Sequence, residues 1–269
     1  MTEPMAEHLA VVRDLAVAAA RAGGEVLRES YGRVPAVRFK AEFDLVTEVD
    51  VRAERSITDL IRDRFPRHRI LAEEGTLGGD DPAHRWLIDP LDGTTNYAHG
   101  VPAFCVSVGY ELEGRMAVGV IYDPNLEELF VAEAGRGATL NGQPLAVSGT
   151  VELGRALLTT GFPYDRNRLG PALAQFGALS QRSQAVRRIG SAALDLAWLA
   201  AGRFDGYWET VVSPWDVAAG WLIAAEAGAR ITDLAGVPFA VDAGQIVASN
   251  GRLHDALLEA LAPATRAAH

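Results

Sequence analysis

Cysteine is almost missing from this chain: Cys105 is the single one in 269 residues. That excludes an internal disulfide and any four-cysteine metal site. Its apolar setting, Phe104-Cys105-Val106-Ser107-Val108, predicts a buried small hydrophobe. The six histidines (His8, His68, His84, His99, His254 and His269) show no paired ligand spacing, which disfavours zinc. No apolar run approaches the ~20 residues needed to cross a bilayer. No Gly-x-Ser-x-Gly elbow, Walker loop or dinucleotide fingerprint occurs. The opening MTEPMAEHLA is polar and acidic, with no basic segment before an apolar core. This predicts a chain without a signal peptide, in a reducing, cytoplasmic setting. Positive charge is also scarce, with 25 Lys and Arg against 35 Asp and Glu, a net charge of −10. That argues against a nucleic-acid or anionic-membrane partner. It suits a protein that brings cations to a small anionic substrate.

What is present is ample apolar material, 49% of residues, enough for a large core. Residues 5–30 and 51–65 carry apolar positions at helical spacing. Asp50 stands where an N-cap would. Short apolar strands are predicted at 70–72 and 86–88, then a meander over 104–110, 116–122 and 128–132. Asn141-Gly142 signals a turn. In the second half, helical patterns at 171–181, 191–201, 215–227 and 252–262 alternate with strand-like runs at 156–160, 184–189, 204–208, 229–232 and 245–249. The alternation predicts a layered α/β architecture. The expected division falls near 145–155, giving an N-terminal α/β subdomain (1–150) and a C-terminal one (151–269).

The chemistry concentrates in Trp86-Leu87-Ile88-Asp89-Pro90-Leu91-Asp92-Gly93-Thr94-Thr95. An apolar strand ends in one carboxylate, and a second follows three residues on. Hard divalent cations want oxygen ligands, and carboxylates at a strand end can converge on one point. Pro90 between them should interrupt strand pairing and force a turn. Gly-Thr-Thr opens a helix whose free N–H groups suit an anion. Asp89 can bridge two ions, with Asp92 on one of them and the Leu91 carbonyl adding a neutral oxygen. Elsewhere Glu73 and Glu74 are adjacent carboxylates whose repulsion needs relief by a cation or by solvent. Asp216 follows Pro214 in the first turn of a helix, where an acid is also simply favourable with the dipole. Ser191 begins another helix after Arg188-Ile189-Gly190. Glu209 follows the strand-like 204–208 and is either an acceptor for sugar hydroxyls or a surface acid.

Two of these strings, WLIDPLDGTTNY at 86–97 and PWDVAAG at 214–220, resemble the motifs of the inositol monophosphatase family. That family lies within the Mg²⁺-dependent, lithium-sensitive sugar phosphatases. DLVTEVD at 44–50, AEEG at 72–75 and RRIGSAALDLAWLAAGRFDGYWE at 187–209 fit too, in the family's order. The resemblance implies a layered α-β-α-β-α sandwich (α/β, α+β) of the inositol monophosphatase and fructose bisphosphatase type, as a homodimer. It implies two or three Mg²⁺ ions: Glu73, Asp89 and the Leu91 carbonyl on the first, Asp89, Asp92 and Asp216 on the second, and Glu73 near a third. Thr94, bonded toward Asp50, would orient the attacking water, and Gly93 and Thr94 would receive the phosphate. Ser191, Ala192 and Glu209 would contact the sugar or cyclitol. The implied reaction is hydrolysis of a small polyol phosphate, myo-inositol 1-phosphate first, by in-line attack of a metal-activated water. Fructose 1,6-bisphosphate and histidinol phosphate are the alternative substrates. A regulatory role with RNA polymerase and in ribosomal RNA processing is the alternative of another class.

Overall fold

In the computed structural model the chain alternates helical and extended segments where its apolar periodicity changes. The structure describes residues 3–33, 37–41 and 44–266. Helix α1 (Glu3–Ser30) leads to a hairpin, β1 (Val37–Ala41) and β2 (Asp44–Thr47), and to helix α2 (Glu48–Arg64). Strands β3 (His68–Ala72), β4 (Thr76–Leu77) and β5 (Asp81–Asp92) follow, then a single-turn helix α3 (Thr94–Ala98). The meander is β6 (Cys105–Leu112), β7 (Arg115–Asp123), β8 (Glu128–Glu133), β9 (Ala138–Leu140) and β10 (Gln143–Pro144). The second half runs β11 (Leu157–Thr160), α4 (Leu169–Ser180), β12 (Ala185–Arg187), α5 (Ala192–Ala200), β13 (Gly206–Glu209) and α6 (Pro214–Glu226). It ends with β14 (Arg230–Thr232), β15 (Ile246–Ser249) and α7 (His254–Arg266).

These elements make two main sheets. The larger has eight strands in the order β10-β9-β8-β7-β6-β5-β3-β4, and the smaller five, in the order β12-β11-β13-β15-β14. The expected meander is present as antiparallel β6–β7–β8, and Asn141-Gly142 makes the tight β9–β10 turn. Helices α1 and α2 cover one face of the large sheet, with Val12, Ile57, Trp86 and Val120 in their shared core. Helices α5 and α6 fill the space between the sheets, where Leu87, Leu196, Tyr207 and Ile223 meet. Helices α4 and α7 cover the far face of the small sheet around Leu158, Leu179, Trp208 and Leu257. The order of layers is therefore α-β-α-β-α, as expected. Burial of these apolar faces is the main stabilising force.

One expectation about the acidic stretch is corrected. The strand does not end at Asp89; β5 continues to Asp92. Asp89 pairs with Ser107 and Asp92 with Cys105, so three steps along β5 oppose two along β6. Pro90 lacks the N–H that a regular ladder would use, and the strand answers with a bulge rather than a stop. The bulge re-aims the side chains that follow it. Close packing fixes the opposite wall. A Cβ on Gly119 of β7 would lie 2.7 Å from the Ala219 carbonyl oxygen. Only glycine lets α6 approach the sheet so closely, and α6 carries Asp216.

Candidate active site

At one end of the layer between the sheets lies a cavity of about 100 Å³, which adjoins a groove of about 360 Å³. Glu73, Asp89, Leu91, Asp92, Gly93, Thr94, Ser191, Ala192, Glu209 and Asp216 all line the cavity. Asp50 stands one layer behind. Ten of the eleven residues singled out from the sequence thus reach one small space, although they span both halves of the chain.

Local rules place the acids. Asp89 and Asp92 flank the bulge of β5. Asp89 Oδ1 accepts from the Leu91 N–H at 3.0 Å, the first hydrogen bond of the turn. Asp216 is the third residue of α6, and its Oδ2 accepts from the Ser213 N–H at 2.7 Å. That is one half of a capping box, so the helix start itself holds the carboxylate in place. Asp50 plays the same part in α2: its Oδ2 accepts from the Thr47 N–H at 3.0 Å and from the Thr47 hydroxyl. Its Oδ1 lies 3.1 Å from Thr94 Oγ1, which also lies 3.0 Å from the Leu91 carbonyl oxygen.

Asp92 is held by donors from the start of α5. Its Oδ2 accepts from Ser191 Oγ at 2.7 Å and from the Ala193 N–H at 2.6 Å. The Ala192 N–H also supports it. Ser191 is the N-cap of α5, and its oxygen accepts from the Leu194 N–H at 3.2 Å. Ser191 and the Ala192 N–H, expected to face a sugar, therefore engage Asp92 in this arrangement. Glu209 Oε2 accepts from the Tyr207 hydroxyl at 2.7 Å. A Cβ on Gly161 would fall 2.2 Å from that same Oε2, so glycine is required where the main chain passes over the carboxylate.

The electrostatics show crowded like charges. Burial, then the charges of Glu73, Asp92 and Asp216, hold the Asp89 carboxyl well above the usual range, and Glu73 shares a hydrogen bond with it. Burial raises Asp92 to about 6 despite its donors. Burial and the Asp92 charge push Asp216 well up. Burial also raises Glu209, to about 7. Among the described residues, no three His, Cys, Asp or Glu side chains already form a finished metal cage. The acids instead engage protein donors and one another. The donor set of four carboxylates and a carbonyl oxygen is nonetheless the one a hard divalent cation takes. A cation would also relieve the repulsion that raises these pKa values.

The cavity wall also includes residues not named as site residues from the sequence, among them Gly161, Phe162, Tyr164, Arg188, Gly190 and Asp195. Asp195 lies in the first turn of α5, where an acid is favourable with the helix dipole whatever else it does. Cys105 is buried, as expected, and burial raises its thiol pKa well above the ordinary value, which removes it as a nucleophile. No helix among the described residues is long and apolar enough to cross a membrane.

This geometry has known relatives. The model of the inositol monophosphatase family matches residues 8–267. The chain belongs to the inositol monophosphatase family, and it is a phosphatase. It is 46% identical over 252 residues to an inositol-1-monophosphatase of Synechocystis, covering 93% of this chain and 88% of that one. It is 44% identical over 258 residues to the Nus factor SuhB of Pseudomonas aeruginosa, covering 93% and 95%. Among solved structures, an inositol monophosphatase from Anabaena (Nostoc) matches with a TM-score of 0.86 at 48% identity, over 95% of this chain and 97% of that one. Enzymes of the family are generally metal-dependent.

Proposed function

We propose that the chain hydrolyses the phosphate monoester of a small polyol, myo-inositol 1-phosphate first, with Mg²⁺ held by Glu73, Asp89, Asp92, Asp216 and the Leu91 carbonyl. The observation that carries this reading is the hydrogen-bonded Asp89–Glu73 pair, with the Asp92 and Asp216 charges acting on it. Two carboxyls in hydrogen-bond contact hold either a shared proton or a cation. Bound there, two or three divalent ions would neutralise phosphate oxygens, acidify a water and stabilise the leaving alkoxide.

The chain's own residues supply the rest. Thr94 can donate its single hydroxyl proton to Asp50, leaving its oxygen lone pairs to accept from the attacking water. Asp50 is buried and bonded from Thr47 and Thr94, so it fixes that orientation. The N–H groups of Gly93 and Thr94, at the start of the short α3 on the cavity wall, would receive the phosphate. Glu209 accepts a hydroxyl of the leaving group, and Ser191 and Ala192 hold Asp92 at the cavity wall. Water attacks phosphorus in line, and no covalent phospho-enzyme forms. The same reading, on family resemblance, makes the protein a cytoplasmic homodimer of two-subdomain chains divided near residue 150.

The relative named Nus factor SuhB supports a second reading, a regulatory partner of the transcription machinery. Crowding this many buried carboxyls together costs stability unless a cation offsets their charge, which favours hydrolysis. Phosphate release from myo-inositol 1-phosphate, fructose 1,6-bisphosphate and histidinol phosphate, with and without Mg²⁺, decides. Myo-inositol 1-phosphate should lead and require the metal. Turnover about 100-fold below another ester would move the substrate to that ester, and no metal-dependent release from any of them would leave the regulatory reading.

A further inference from the structure

The cavity holds one acid that the mechanism above leaves without a task. Asp195 lies in the first turn of α5, on the cavity wall, and is 1% exposed. Its Oδ1 accepts from Thr159 Oγ1 at 2.7 Å, which ties α5 to β11. Among the described residues, the bond from Thr159 is the one side-chain hydrogen bond to this carboxyl, and it goes to Oδ1. Leaving half a buried carboxyl unbonded is unfavourable. An asparagine or a serine would have anchored Thr159 at lower cost. The free oxygen therefore calls for a partner that arrives from the cavity.

The surroundings narrow the partner. Burial, Glu209 and Asp92 all disfavour further negative charge at Asp195, so the phosphate itself does not belong beside it. The Arg188 guanidinium on the same wall offsets only part of that field. Glu209 presents a second carboxyl to the same cavity, fixed by Tyr207 and roofed by Gly161. Neutral hydroxyls, which donate to carboxyl oxygens, match both acids.

We propose that Asp195 is a further specificity-determining residue, which completes with Glu209 a clamp for two hydroxyls of the leaving group. This rests on the phosphatase reading and sharpens it: the acids at the bulge handle the phosphate, and this pair reads the ring. Asp195 thereby acts as a substrate-binding residue, while Thr159 positions it.

The test uses Asp195→Asn in the full chain, since the amide oxygen can still accept from Thr159 and keep the anchor. Two quantities are measured at fixed Mg²⁺: kcat/KM for myo-inositol 1-phosphate, and the inhibition constant of inorganic phosphate, which has no ring. The clamp predicts kcat/KM lower by about 10- to 100-fold, mostly through KM, with phosphate inhibition unchanged within about twofold. Equal losses in both would make Asp195 a structural prop, and no loss in either would remove it from the site; each overturns the proposal. A second arm needs only the wild type. Cyclohexyl phosphate, the same ring stripped of hydroxyls, should show kcat/KM at least about 100-fold below that of the inositol ester. Comparable values for the two esters would also overturn the clamp. A wild type inert toward every polyol phosphate would instead sink the phosphatase reading, and the clamp with it.

Discussion

Ser191 Oγ lies 2.7 Å from Asp92 Oδ2, a hydrogen bond that joins the bulge of the large sheet to the start of a helix 99 residues later. The same hydroxyl oxygen caps that helix through the Leu194 N–H. One side chain thus completes a helix and orients a candidate metal ligand. Ser191→Ala should cost roughly 1–2 kcal/mol of stability from the lost cap. It should also weaken Mg²⁺ binding, because Asp92 loses a donor that fixes it. Thermal melts with and without Mg²⁺ read both effects; a variant with unchanged metal affinity would show that the cap alone matters.

The buried acids give the metal-free protein an unusual pH profile. The folded-state pKa of Glu209 is raised from 4.5 to about 7 by burial, chiefly. A carboxyl raised in this way stabilises the fold fully below pH 4.5. That contribution fades as pH climbs through about 7, because the unfolded chain ionises more readily than the folded one. In EDTA the contribution of this carboxyl should therefore fade between pH 4.5 and 7, so the melting temperature of the wild type relative to Glu209→Gln should fall as pH rises through that window. A difference between wild type and Glu209→Gln that stays constant or grows in favour of the wild type over that window would contradict the assignment.

The acid side is governed elsewhere. At the end of β3 and β5 away from the cavity, the His68 and His84 rings stack with centroids 4.2 Å apart, and His8 lies 5.5 Å from His84. Trp86 Nε1 donates to His68 Nδ1 at 3.1 Å, a bond that needs the imidazole neutral. Burial, then His84, lowers the His68 pKa from 6.5 to about 4, with Asp81 opposing. A lowered histidine stabilises the fold above pH 6.5 and loses that contribution as pH falls toward 4. His68→Gln should therefore reduce the acid sensitivity of the melting temperature between pH 6.5 and 4. An identical acid limb in the variant would clear this cluster of any role.

Much of this was legible in the sequence, for physical reasons. Helices α4, α5 and α6 lie within about two residues of their apolar patterns, because one-sided burial writes a helical period. Asp89, Asp92 and Asp216 were legible because each sits beside a local signal, a proline inside a strand or a proline opening a helix, and Glu73 because it is one of two adjacent acids. The bulge at Pro90 was misread as a strand end, since the sequence shows the missing donor but not the partner strand that absorbs it. The histidine cluster left no signal, because His8, His68 and His84 are distant in sequence and meet only when α1 packs on the sheet. Asp195 has no such local signal; only the fold brings it to the wall beside Glu209.

The central claim is that the Asp89 cluster exists to hold divalent cations for phosphate hydrolysis. Phosphate release from myo-inositol 1-phosphate, titrated with Mg²⁺ in the wild type and in Asp89→Asn, tests it most directly. The account predicts saturable Mg²⁺ activation in the wild type and a kcat at least about 100-fold lower in a folded variant. Activity indifferent to Mg²⁺, or Asp89→Asn turning over at the wild-type rate, would contradict it.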